Sequence, residues 1–153
     1  MIRLRPVTDK DLPFIERVYR STREKELGLV SWSELQKDAF IKMQSVAQEA
    51  HYKNAFPSAI FEIIEFNKKP AGRLYTGETE NEIRLIDISL LPEFRGKSIG
   101  TKIIQSLITK AAGKQKLLSL HVEPDNPAYQ LYLRIGFKHI NNNGRHYYME
   151  YKP

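Results

Sequence analysis

The chain contains no cysteine. Disulfides, thiolate nucleophiles and zinc sites built on Cys are thereby excluded, and a reducing compartment is compatible. No apolar run approaches a membrane span, and residues 1–14 hold none of signal-peptide length. A cytoplasmic location without membrane contact is the expectation. Consecutive blocks of Lys and Arg are also missing, although the net charge is +6. The basic residues therefore read as solvated faces, and no nucleic-acid partner is expected. Four histidines occur, but their spacing identifies no metal site. Internal repeats, low-complexity tracts and Pro/Gly/Ser linkers are absent, so residues 1–153 read as a single domain. With 41% apolar and 27% charged residues, the composition is that of a globular protein with a buried core.

What is present alternates between helical and strand patterns. Residues 2–5 are a strand candidate. Thr8 with Asp11 is a capping signal, and Leu12, Ile15, Val18 and Tyr19 follow on one helical stripe. Ser33 with Gln36 reads as a second capping box. Behind it, Leu35, Ala39, Met43, Val46, Ala47 and Ala50 predict the buried face of a helix of roughly four to five turns. Residues 59–66, 71–75 and 83–91 read as strands, the third central and covered on both faces. Ile103, Ile104, Leu107, Ile108 and Ala111 then recur at helical spacing, with Gly113 as the stop. Residues 117–122 are a strand. Asn126 and Pro127 open a short helix that Gly136 closes, with Ala128, Leu131 and Ile135 as its buried stripe. Residues 137–140 and 145–151 predict a final hairpin whose loop is longer than two residues. The order β-α-α-β-β-β-α-β-α-β-β implies an α/β (α+β) fold with a mixed sheet of about seven strands and four helices on its faces.

The most informative stretch is Leu90-Leu-Pro-Glu-Phe-Arg-Gly-Lys-Ser-Ile-Gly-Thr101. A central strand ends at a proline, and a short glycine-containing turn leads directly into a helix. The first N–H groups of that helix lack intrahelical acceptors and carry the positive end of its dipole. Gly96 and Gly100 let backbone approach a ligand closely, while Arg95 and Lys97 add full charges. Chemically this is a cradle for a pyrophosphate. A ligand-free strand-to-helix turn would use the same glycines. The glycine spacings of the Walker A loop and of the dinucleotide fingerprint are both absent.

This segment resembles motif A of the GNAT family of N-acetyltransferases, Arg/Gln-x-x-Gly-x-Gly/Ala. Arg95 fits its first position and Gly100 its last, while Ser98 stands where the family usually has glycine. Further on, Asn126-Pro-Ala-Tyr-Gln-Leu-Tyr132-Leu-Arg-Ile-Gly-Phe137 resembles the family's second hallmark. The resemblance implies the GNAT fold, acetyl-CoA as cofactor, and direct transfer of its acetyl group to a primary amine of a small molecule or peptide. It implies that Ser89, Leu90 and Leu91 pair with the pantetheine arm and polarise the acetyl carbonyl. It further implies that Arg95, Gly96, Lys97, Ser98, Ile99, Gly100 and Thr101 hold the pyrophosphate, that Asn126 touches the cofactor, and that Tyr132 protonates the leaving thiolate. In ribosomal-protein alanine acetyltransferases, which the region around His121 resembles, the corresponding strand position carries the general base. His121 is thus the candidate base, with a water relay and Asp87 as alternatives. The strand glutamate of polyamine acetyltransferases would fall at Ile86, and Asp87 points to the opposite face, where a structural role is expected. The Trp32 region and the second helix would line the acceptor side. The acceptor itself is not legible, and a homodimer is left open. Two competing readings are an acyl-CoA sensor of the same fold without turnover, and a nucleic-acid-binding module.

Overall fold

Alternating side chains and turn residues divide the chain into seven strands and five helices in a computed structural model that describes all of residues 1–153. The strands are β1 (Ile2–Pro6), β2 (Ile60–Phe66), β3 (Lys69–Glu78), β4 (Glu82–Leu90), β5 (Leu117–Val122), β6 (Lys138–Asn143) and β7 (His146–Tyr151). The helices are α1 (Leu12–Ser21), α2 (Glu24–Leu27), α3 (Glu34–Ala55), α4 (Ile99–Gly113) and α5 (Ala128–Ile135). The sheet runs in the order β1-β2-β3-β4-β5-β7-β6. α2 is the one helix the sequence pattern does not foretell. It is a single turn closed by Gly28, too short to carry periodicity. No helix is long and apolar enough to cross a membrane.

The chain gathers into two compact units, Met1–Tyr75 with Asp87–Ile99, and Thr76–Ile86 with Gly100–Pro153. In the first, β1 pairs antiparallel with β2 from Ile2↔Phe66 to Pro6↔Glu62. The expected Thr8–Asp11 capping box forms, and the Asp11 carboxylate also takes two hydrogen bonds from Arg5, each 2.9 Å. That guanidinium holds the Asp11 carboxyl down to about 2, against the desolvation that opposes it. α1 buries Ile15, Val18 and Tyr19 as expected, but Leu12 is half exposed. Arg20 ties α1 to α2 and α3 through Glu24, Glu34 and Asp38. Gly72 sits so close to β4 that a Cβ there would come within 2.1 Å of the Ser89 carbonyl oxygen. Only glycine fits.

α3 departs most from expectation. Its Ser33–Gln36 capping box is present, but it runs 22 residues, about six turns. The stripe predicted to be buried faces outward: Leu35 is 82% exposed, Met43 59% and Val46 60%. Ala39, Ala47 and Ala50 are exposed with them. Inward lie Ile41 and Ser45, fully buried, with Gln44, Gln48, Glu49 and Tyr52 half-buried. The sheet side offers Arg73 and Asp87, whose charges need polar partners, and this outweighs the apolar periodicity of the other face. Ile41 joins Tyr19 and Leu27 in a small apolar cluster, with Phe40 against it.

In the second unit, β4 pairs in parallel with β5 from Glu82↔Leu117 to Leu85↔Leu120. β5 pairs antiparallel with β7, and β7 with β6. β5 occupies the residues expected of it, and α4 buries Ile103, Ile104, Leu107 and Ala111. On α5 the predicted stripe Ala128, Leu131 and Ile135 is only half-buried, and Tyr132 is the buried residue at 6% exposure. The final hairpin has a two-residue loop, Gly144-Arg145, where a longer one was expected. Gly144 at φ 61 supplies the positive φ that a tight II′-type turn needs first, and the slack is taken up by a bulge between His139 and Asn141.

The inverted packing of α3 predicts unequal costs of mutation in urea denaturation. Ile41→Ala should destabilise by about 2–5 kcal/mol through its cavity. Val46→Gln and Leu35→Gln should stay within about 0.5 kcal/mol. A cost above about 1 kcal/mol at Val46 would contradict the outward placement of that stripe.

Candidate functional site

The turn between β4 and α4 is held from behind. The Leu91 N–H donates to the Ala71 carbonyl at 2.9 Å, and Pro92–Phe94 then forms one 3-10 turn. Arg95 is extended at φ −77 and ψ 156, and its Nε donates back to the Leu90 carbonyl at 3.0 Å. Its Nη2 reaches Ser21 Oγ at 3.4 Å. Gly96 at φ 74 and Ser98 at φ 63 are both left-handed, and Ile99, 1% exposed, anchors the turn where α4 starts. A Cβ at Gly96 or Gly100 would meet no protein atom within 4 Å, so the backbone there faces open space. Arg95, Lys97 and Ser98 are exposed beside it.

This geometry fits a pyrophosphate, with open backbone, exposed cations and unpaired N–H groups of a helix start. It also gives the reason glycine is usual where Ser98 stands. The position demands a left-handed backbone, which costs a residue with a Cβ roughly 1–2 kcal/mol and glycine nothing comparable. Strain of this kind persists where the surroundings over-determine it, typically at ligand clamps. Of the expected pantetheine residues Ser89, Leu90 and Leu91, the Leu91 N–H is committed to Ala71 and the Leu90 carbonyl accepts from Arg95.

In the second unit, Asn126 Oδ1 accepts from the Ala128 N–H at 2.9 Å, so this side chain caps α5 although the helix proper starts at Ala128. The Tyr132 ring packs on Phe137 with centroids 5.5 Å apart. Its carbonyl accepts from the N–H groups of Gly136 and Phe137, the cap that Gly136 makes possible at φ 123. His121 is an exposed residue of β5. Arg84 donates to its Nδ1 at 3.2 Å and to Ser119 Oγ at 2.7 Å. A guanidinium only donates, so Nδ1 accepts and the neutral ring carries its proton on Nε2. Burial first, then the charge of Arg84, then His146, push the imidazole below its ordinary value; Glu82 opposes them. The ring of Tyr148 lies 5.1 Å away, and its hydroxyl donates to Glu150. For His121 to act as a base, Arg84 must release Nδ1.

Sequence reasoning missed a polar layer in the first unit. Arg73, 1% exposed, donates through Nη2 to Asp87 at 2.6 Å and to Gln48 at 2.7 Å. Ser89 Oγ donates to the other Asp87 oxygen at 2.8 Å, and Tyr75 donates to Glu49 at 2.6 Å. Asp87 is therefore held by its neighbours on β3 and β4. The available signal was the second stripe of α3, Ser45, Gln48 and Tyr52, spaced like the apolar one. On the other side of that helix, Trp32, Gln36, Ala39, Phe40 and Met43 line an open apolar hollow of about 380 Å³.

Comparison with known proteins gives the geometry its context. Over all of this chain the fold is similar to the PaiA N-acetyltransferase of Thermoplasma acidophilum, solved in complex with coenzyme A. The TM-score is 0.72 at 21% identity, with 99% of that chain covered. It is similar to a ribosomal-protein alanine N-acetyltransferase of Escherichia coli at TM-score 0.67 and 19% identity, covering 99% of this chain and 94% of that one. Arabidopsis thaliana Naa50, solved with the bisubstrate analogue CoA-Ac-MVNAL, gives TM-score 0.64 at 16% identity and 99% coverage of both. No curated protein matches the sequence. The sequence pattern of the acetyltransferase (GNAT) family matches residues 15–137. That span takes in the left-handed turn, α4 and both hallmark segments, and the chain belongs to the GNAT family of acetyl-CoA-dependent acetyltransferases.

Proposed function

We propose that this acetyltransferase moves the acetyl group directly from acetyl-CoA to a primary amine. The observation that carries the reading is the open, left-handed turn of Gly96 and Ser98 at the start of α4, flanked by exposed Arg95 and Lys97. The amine as acceptor is supported by two proteins of similar fold, one an alanine N-acetyltransferase and the other solved with the bisubstrate analogue CoA-Ac-MVNAL. When bound, the thioester supplies the activated carbonyl.

The chain's own residues divide the remaining work. Arg95, Gly96, Lys97, Ser98, Ile99, Gly100 and Thr101 hold the pyrophosphate, with backbone N–H groups and two full positive charges. Ser89, Leu90 and Leu91 orient the pantetheine arm by backbone pairing, and Asn126 bounds the cofactor while capping α5. Tyr132 Oη holds the proton destined for the departing sulfur. An alkyl ammonium has a pKa of about 10.4, so a base must take its proton before it can attack. His121 is assigned that task. Its lowered pKa keeps the ring neutral at pH 7, and its basic nitrogen is Nδ1 once Arg84 moves aside.

Acetyl-CoA should stabilise the fold. At a hundredfold excess over Kd the gain is about 2.7 kcal/mol, read as a rise in Tm. Arg95→Glu with Gly100→Asp should abolish the rise and leave the unliganded Tm nearly unchanged, because a side chain at Gly100 enters open space. No shift in the unaltered protein at millimolar acetyl-CoA would remove the cofactor assignment.

Tyr132→Phe keeps the ring on Phe137 and removes only the hydroxyl. The expected result is a kcat lower by about a hundredfold, with acetyl-CoA affinity unchanged. Full activity would return Tyr132 to a packing role.

A base at His121 gives kcat/KM an acidic limb, since only the neutral ring accepts a proton. The lowered pKa places that limb below the ordinary imidazole value of 6.5. Arg84→Met removes a positive charge beside the ring, so the limb and the His121 NMR titration should both move to higher pH. In His121→Ala the limb should vanish. A limb unaffected by His121→Ala would leave the water relay as the proton path.

A further inference from the structure

α3 leaves outside the apolar stripe that its helical spacing would otherwise bury. Leu35, Ala39, Met43, Val46 and Ala50 are all exposed and follow one another along about 23 Å of helix. At one end of the stripe Trp32 stands edge-on to Phe40, ring centroids 5.2 Å apart, and both line the hollow of about 380 Å³ together with Met43. The alanines allow a second helix to come close, and the flexible thioether of Met43 adapts to what it meets. Exposed apolar surface gathered in this way marks an interaction site.

The charges that remain free around this face have one sign. Arg20 holds both Glu34 and Asp38, and Lys37 is tied to Glu34. Glu49 is turned inward to Tyr75 and Arg73. Of the charged side chains on α3, only Lys42 and Lys53 are left, both exposed and without an ion pair. They are eleven residues apart, which places them on the same flank of the stripe, roughly 16 Å from each other along the helix. The segments on either side of α3, residues 28–33 and 54–59, carry no charge at all.

We propose that the outer face of α3 docks an amphipathic helix of a partner protein, with that helix's apolar stripe on Ala39, Met43 and Val46 and carboxylates on its flank meeting Lys42 and Lys53. An apolar side chain of the partner fills the hollow beside Trp32 as the anchor of the contact, and the two lysines fix its position along α3. This surface is separate from acetyl transfer and does not depend on it. A second copy of the chain fits less well, because its α3 offers the same free lysines and no free carboxylate to meet them. A lipid surface is flat and would leave the hollow unfilled. If anionic, it would also face the exposed acids Glu26, Glu34 and Asp38 where α3 begins.

Trp32 is the only tryptophan of the chain and lines the hollow, so its fluorescence reads the docking directly. The probes are a synthetic amphipathic helix of about five turns with a leucine stripe and glutamate flanks, the same helix with lysine flanks, and vesicles of anionic phospholipid. The full-length protein should show a saturable blue shift with the glutamate-flanked helix, weakened by salt, and at least about tenfold weaker binding of the lysine-flanked one. Val46→Gln should weaken the glutamate-flanked helix about tenfold. Lys42→Glu with Lys53→Glu should reverse the preference, so that the lysine-flanked helix binds the tighter. All three positions are exposed, and circular dichroism checks that each variant is folded. If the double variant does not fold, Val46→Gln and the salt dependence decide. No saturable shift, equal binding of the two helices, or an unchanged preference in the folded double variant overturns the proposal. A blue shift that appears on raising the protein concentration alone, or with vesicles and not with the helix, overturns it as well and gives the face to a second copy or to a membrane.

Discussion

Arg73 keeps its charge at any physiological pH, and β3 places it where only 1% of its surface meets water. A buried guanidinium has to be met by oxygen atoms, because removing a partner from such a group costs about 3–5 kcal/mol. Asp87 on β4 meets it from the sheet, and Gln48 with Glu49 meets it from α3. α3 must therefore turn its Ser45–Gln48–Tyr52 face inward. Leu35, Met43 and Val46 are left outside, and the apolar hollow beside Trp32 forms on the outer side of the same helix. One buried charge thus sets the orientation of the longest helix and gathers a polar layer in the first unit.

A second constraint acts along the backbone. Gly72 lets the Ser89 carbonyl come close to β3, the Leu91 N–H is pinned to Ala71, and Arg95 hooks back onto Leu90. With β4 fixed at its end, the chain has few residues in which to turn into α4. It does so through left-handed Gly96 and Ser98. The same two conformations that make the turn possible also leave its backbone open to a phosphate-bearing ligand.

Much of this was legible in the sequence, for identifiable reasons. Strands such as β5, and the caps at Thr8, Ser33 and Asn126, depend on local patterns and formed where those patterns lie. The turn into α4 was legible because glycine, proline and cations at fixed offsets leave few conformations. α3 was misread because it carries two stripes of similar spacing, and choosing between them required knowing that a charge lies buried opposite. An arginine within a strand run gives no local sign of burial, since exposed arginines look the same. The short loop at Gly144 was hidden by Asn143, which offers an equally good turn residue one position earlier. The pairing of Arg84 with His121 joins two strands through a register that no single segment encodes.

Acetyl transfer to nitrogen is the proposed reaction on which the residue roles depend. Incubating the protein with acetyl-CoA and a panel of primary amines, while following free thiol and product mass, measures this directly. Thiol release that requires an amine, matched one for one by a product acetylated on nitrogen, is the predicted result. Thiol release equally fast without amine, or none with any amine while acetyl-CoA still binds, would contradict it and favour hydrolysis or a sensor.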